Sequence, residues 1–97
     1  MGVDVYIEDQ IHGRTYAGSI AGSQLARVLA KAESSGLLSG VNLHGDTMFN
    51  IVQLQRLELE LDAISETNPD LRPDVDALKR IFENITRSRG YLWLAGD

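Results

Sequence analysis

The hydrophobic patterning predicts an α+β domain of two layers, ordered β-β-α-(β)-α-α-β. An antiparallel N-terminal hairpin and a C-terminal strand would pack against a helical hairpin. Three observations carry this expectation. The chain opens with period-2 alternation, its second half holds two stretches with apolar residues at helical spacing, and a short apolar run lies almost at its end. Ninety-seven residues suffice for one core without metal or disulfide support, so residues 1–97 are read as a single domain.

Val3, Val5 and Ile7 alternate with Asp4, Tyr6 and Glu8, as in a half-buried strand. His12-Gly13 can close a hairpin, with Gly13 accepting positive φ, and Arg14 to Ala17 would return, reaching at most Ile20. The Gly18 to Gly22 segment reads as a loose connection ending at Ser23, an N-cap for a helix from Gln24 to about Glu33. In it Leu25, Val28, Leu29 and Ala32 share a face, and Ser34-Ser35-Gly36 would end it. Leu37 to His44 can form a short edge strand or a buried loop.

Asp46 or Thr47 would cap the next helix. There Ile51, Leu54, Leu57, Leu61 and Ile64 form one stripe, widened by Met48, Phe49 and Val52. Asn68-Pro69 stops it, because the residue before proline avoids the α region. Pro73 suits the first turn of a third helix, which repeats Val75, Leu78, Phe82 and Ile85 and ends at Gly90. Tyr91-Leu92-Trp93-Leu94 is the last strand, and the N-terminal hairpin is the natural sheet for it to join.

Composition narrows function. A net charge of -5 disfavours nonspecific binding to nucleic acid or anionic membrane and favours a cationic partner. No cysteine is present, which removes disulfides and thiolate chemistry and fits a reducing, cytoplasmic setting. No stretch approaches the roughly 20 apolar residues of a membrane helix. His12 and His44 have no ligand-spaced neighbours, so neither a metal nor another cofactor is expected. The Gly18 to Ser23 glycines lack the spacing of a phosphate-binding loop.

The densest feature is acidic. Glu58, Glu60, Asp62, Glu66, Asp70, Asp74 and Asp76 fall in nineteen residues with only Arg72 among them, a local charge of -6, while the rest of the chain is slightly positive. Such a field would steer a cationic protein toward these carboxylates. The plainer alternative is a solvated helix face with acids at a helix N-terminus. His44, Asp46, Asn50 and Gln53 form a polar cluster that could serve a small enzyme or ligand site, with His44 and Asp46 as an acid–base pair. Its plainer alternative is a turn and a helix cap. Tyr6, Tyr16, Tyr91 and Trp93 all fall on strands, and on a bare sheet face they would anchor a protein partner.

The Val3-Asp4-Val5-Tyr6-Ile7 start, the Gly45-Asp46-Thr47-Met48-Phe49-Asn50 segment with Gln53 and Glu58, and the strand closing on Gly96-Asp97 together resemble a group of small actinobacterial proteins. That resemblance implies no activity and supplies no catalytic residues. In size and charge alone the chain is also similar to immunity proteins that neutralise bacterial toxins. The expectation is a non-enzymatic, acidic binding module for a cationic protein such as a toxin, with homodimerisation through a sheet edge or the aromatics as a further possibility.

Overall fold

The structure, a computed structural model, describes residues 3–32 and 36–96. Its elements are β1 (Val3–Glu8), β2 (Arg14–Tyr16), α1 (Ser19–Leu29), β3 (Asp46–Phe49), α2 (Ile51–Thr67), α3 (Arg72–Ser88) and β4 (Tyr91–Gly96). Short 3-10 turns at Leu37–Gly40 and Pro69–Leu71 precede β3 and α3. The strands form one antiparallel sheet in the order β2-β1-β4-β3. This is the α+β domain that the patterning predicts, and β4 joins the N-terminal hairpin as its sequence position suggests.

One sheet face makes the core. Val3 and Val5 of β1, Phe49 of β3, and Leu92 and Leu94 of β4 are buried together with the apolar stripes of all three helices. Those stripes are Ala21, Leu25 and Val28 on α1, Leu54, Leu57, Leu61 and Ile64 on α2, and Val75, Leu78, Phe82 and Ile85 on α3. Helix α3 packs against both α1 and α2, so it is the middle helix of the layer. Among the described residues no helix is long and apolar enough to cross a membrane.

Several boundaries differ from the sequence expectation. Helix α1 starts at Ser19, not after a Ser23 cap, and Ser23 Oγ donates to the Ser19 carbonyl inside the helix. Gly22 is therefore helical, and its reason is proximity: a Cβ there would lie 2.9 Å from the Val3 carbonyl oxygen. Helix α1 also ends at Leu29, before the expected stop, of which Ser34 and Ser35 lie outside the described residues, as does Glu33.

In the hairpin turn His12, not Gly13, takes the left-handed conformation, at φ 67°. Asp9 organises that turn by accepting from the backbone N–H of Ile11 and Gly13. Likewise Arg89, at φ 56°, supplies the left-handed stop of α3 assigned to Gly90. Gly90 is needed instead because a side chain there would run into the Glu8 carbonyl.

The largest correction concerns residues 46–49. Asp46, Thr47, Met48 and Phe49 belong to β3 and pair with Ala95, Leu94, Trp93 and Leu92. Neither Asp46 nor Thr47 caps α2, and Met48 and Phe49 do not extend its stripe. Asn50 is the cap, in a reciprocal box: its side chain accepts from the Gln53 N–H, and the Gln53 side chain accepts from the Asn50 N–H, both at 2.9 Å.

Candidate functional site

In an antiparallel sheet, paired residues project from the same face, and alternate residues from opposite faces. The residues that alternate with the core positions therefore define the second face, which none of the described helices covers. Tyr16, Tyr6, Trp93 and Met48 stand in register as one row across all four strands. Tyr16 and Met48, at the two ends, are 48% and 46% exposed, while Tyr6 and Trp93 between them are half-buried. The Tyr6 and Tyr16 rings are tilted at 44° with centroids 5.3 Å apart, a favourable aromatic contact.

On one side of this row Asp4 and Asp46 both pair with Ala95, so a small residue sits between two exposed aspartates. On the other side Arg14 and Tyr91 flank Glu8. Glu8 is only 1% exposed although it belongs to the open face. Its Oε1 accepts from Arg14 Nε at 2.9 Å and its Oε2 lies 3.6 Å from His12 Nδ1. The Arg14 guanidinium reaches across β1 and stacks 3.6 Å from the Trp93 ring centroid. Desolvation first, and then the nearby Asp4 carboxylate, hold the Tyr16 phenol above its ordinary range. The face is thus an aromatic platform with an internal guanidinium on its tryptophan and two exposed carboxylates at one margin.

The acidic stretch is not one patch. Asp74 is buried and receives both Arg27 Nε and Nη2 at 2.8 Å, tying α3 to α1. The Arg27 hydrogen bonds hold the Asp74 carboxyl below its usual range against the opposing effect of desolvation. Glu60 accepts from the Leu37 and Leu38 N–H groups at 2.8 and 3.1 Å and so anchors the 3-10 turn. Asp62 accepts from Lys79 at 2.8 Å across the α2–α3 hairpin. That hydrogen bond, with the charges of Asp62, Glu58 and Asp76, holds the Lys79 ammonium above its ordinary range. Glu58, Asp62 and Asp76 therefore gather around one lysine. Glu66 and Asp70 are exposed elsewhere. Three of the seven carboxylates thus serve internal bonds.

The polar cluster of His44, Asp46, Asn50 and Gln53 is likewise divided. Asn50 and Gln53 satisfy each other's backbone in the cap, and Asp46 belongs to the open sheet face. His44 lies in the preceding turn, where its N–H donates to Asn42 Oδ1 at 2.9 Å. Among the described residues no three His, Asp or Glu side chains group as metal ligands.

Sequence reasoning placed Tyr6, Tyr16, Tyr91 and Trp93 on strands. It missed Met48, Asp4 and Asp46 as members of the same face. The alternation of β1 already carried the signal for Asp4, but β3 had to be recognised before Met48 and Asp46 could join it. No family model matches the chain, and comparison with curated proteins and with solved structures gives no match either.

Proposed function

We propose that this protein is a non-enzymatic, protein-binding module for a cationic partner, and that the open sheet face is its contact surface. The observation that carries the reading is the register of Tyr16, Tyr6, Trp93 and Met48 in one uncovered row, bordered by Asp4 and Asp46. Aromatic side chains and methionine are enriched where proteins bind proteins, the aromatics because they bury much area at small entropic cost and methionine because its flexible thioether adapts to a partner. The two aspartates favour lysine or arginine at the edge of the partner's patch, and the net charge of -5 steers such a partner from a distance. Arg14 on Trp93 is an intramolecular example of the contact that a partner's arginine would make.

The most concrete form of this role is an inhibitor or immunity protein that occludes a cationic toxin in the cytoplasm. The absence of cysteine fits that compartment. A second surface, Glu58, Asp62 and Asp76 around Lys79, is favoured by the excess of acids there.

Purification from the native host, with the neighbouring genes intact, should recover a basic protein. Asp4→Lys with Asp46→Lys should slow its association by roughly 10-fold or more at low salt and flatten the salt dependence. Tyr16→Ala with Met48→Ala should mainly speed dissociation. If these variants bind normally while Glu58→Lys with Asp76→Lys does not, the interface is the helical surface and the sheet face is not the site.

A further inference from the structure

Glu8 is a buried carboxylate on the open sheet face, beside a row of residues that are half-buried or exposed. A carboxylate taken out of water needs a cation on it, because leaving it buried and unpaired is far more costly than the pair is worth. Two residues along β4 from Tyr91, its cross-strand partner, stands Trp93. A carboxylate beside an indole ring is a setting that selects guanidinium. That planar group donates in a fork to the oxygens and stacks on the ring, which an ammonium does less well. In this chain Arg14 fills the place, with Nε 2.9 Å from Glu8 Oε1 and the guanidinium carbon 3.6 Å from the Trp93 centroid.

Arg14 fits the place loosely. Arg27 reaches both oxygens of Asp74 through Nε and Nη2, each at 2.8 Å, whereas Arg14 gives Glu8 a single hydrogen bond, from Nε. The Arg14 backbone is paired with Glu8 on the neighbouring strand, so its side chain must lie along the sheet to reach Trp93. An arginine descending from a partner has no such constraint and can fork to Glu8 Oε1 and Oε2 together. The core does not hold Arg14 either. Its strand β2 is at the sheet edge, all three residues of β2 are exposed, and the Arg14 side chain is itself 45% exposed. Rotation of that side chain over the sheet edge into solvent frees the place without moving β2.

We propose that Glu8 and Trp93 form a guanidinium site on the two central strands, held by Arg14 in the free protein and taken over by an arginine of the cationic partner. The proposal rests on the sheet face being the contact surface, and it names what that surface selects, arginine over lysine. Arg14 is then a competitor. Because it is tethered, it stands at an effective concentration on the order of millimolar or more, so an isolated guanidinium does not displace it. A partner that also covers Tyr16, Tyr6 and Met48 does, and the site thereby admits an arginine only within a matching surface.

Trp93 is the only tryptophan of the chain, so its fluorescence reports the site directly. In Arg14→Ala, methylguanidinium at millimolar concentration should shift that fluorescence saturably and raise the urea midpoint, while methylammonium at equal ionic strength should do much less. Glu8→Gln in the same background should abolish the difference, and wild type should respond roughly tenfold more weakly. Should Arg14→Ala not fold, Arg14→Lys keeps a cation on Glu8 and should show the same preference. The exchange is read with synthetic oligo-arginine and oligo-lysine of equal length. Arg14→Ala should tighten the first by about tenfold more than the second, because loss of a repelling charge helps both but vacating the tryptophan ring helps arginine most. Equal responses to methylguanidinium and methylammonium would overturn the site. Equal tightening of the two peptides would overturn the exchange and make Arg14 a fixed brace. Neither failure bears on the sheet face as the contact surface, which Tyr16→Ala with Met48→Ala tests separately.

Discussion

Asp74 gives up solvent for a paired hydrogen bond with Arg27, and this sets a pH dependence of known sign. Its carboxyl is held below the usual value, so the folded state binds the proton less well than the unfolded chain does. The contribution is complete above the ordinary carboxylate range, about pH 4, and is lost as the pH falls through the lowered value. Replacing Asp74 by Asn should destabilise the fold by about 1–2 kcal/mol near neutrality, the low end for a charged hydrogen bond because Arg27 is half in solvent. The deficit should shrink below about pH 4. Urea denaturation across pH checks it, and a deficit independent of pH would show that the loss is steric.

Gly90 is the other residue with a sharp expectation. Its buried position lies so close to the Glu8 carbonyl that a methyl group must displace β1 from β4 or bend the end of α3. Gly90→Ala should therefore cost about 1–3 kcal/mol, as overpacking does, measured against wild type by thermal or urea unfolding. An unchanged midpoint would mean that the turn yields without strain.

Among the elements, α2 shows how a cap relocates a boundary. The Asp46-Thr47 pair has the right chemistry for a cap, but Asn50-x-x-Gln53 satisfies two backbone N–H groups at once and leaves 46–49 to pair with β4. Asn50→Ala should cost about 1 kcal/mol, whereas Asp46→Ala, on the exposed sheet face, should stay within about 0.5 kcal/mol. Equal losses would contradict this assignment. The same helix explains why hydrophobic spacing alone misjudged Val52: it lies on a line with Leu59, opposite Leu54, Leu57 and Leu61. Helix α1 was displaced for a related reason. The glycines before it resemble a linker in isolation, but Gly22 lets the helix rest on β1.

At the scale of the molecule, the two-layer fold leaves apolar side chains of the described residues exposed outside the core. The sheet face carries aromatics bordered by Asp4 and Asp46, and α2 carries Val52, Leu59 and Ala63 beside Arg56 and a run of acids. The electric field is more evenly divided than the cluster between Glu58 and Asp76 suggests, because Arg27 and Lys79 arrive from α1 and α3 to offset two of its charges.

Local spacing was enough to establish the α+β class, the apolar stripes of α2 and α3, the proline-directed ends of the hairpin between them, and the strand character of β1 and β4. Those properties depend on residues within a turn or two of one another, so they survive without knowledge of the rest of the chain. The membership of Asp46 and Met48 in the open face and the internal use of Glu60, Asp62 and Asp74 depend on neighbours seventeen or more residues away, or on a strand that exists only through its pairing with β4. A carboxylate carries the same charge in any sequence. Whether it meets an arginine, a backbone N–H or water is decided by packing, and that decision separates a structural acid from one able to greet a partner.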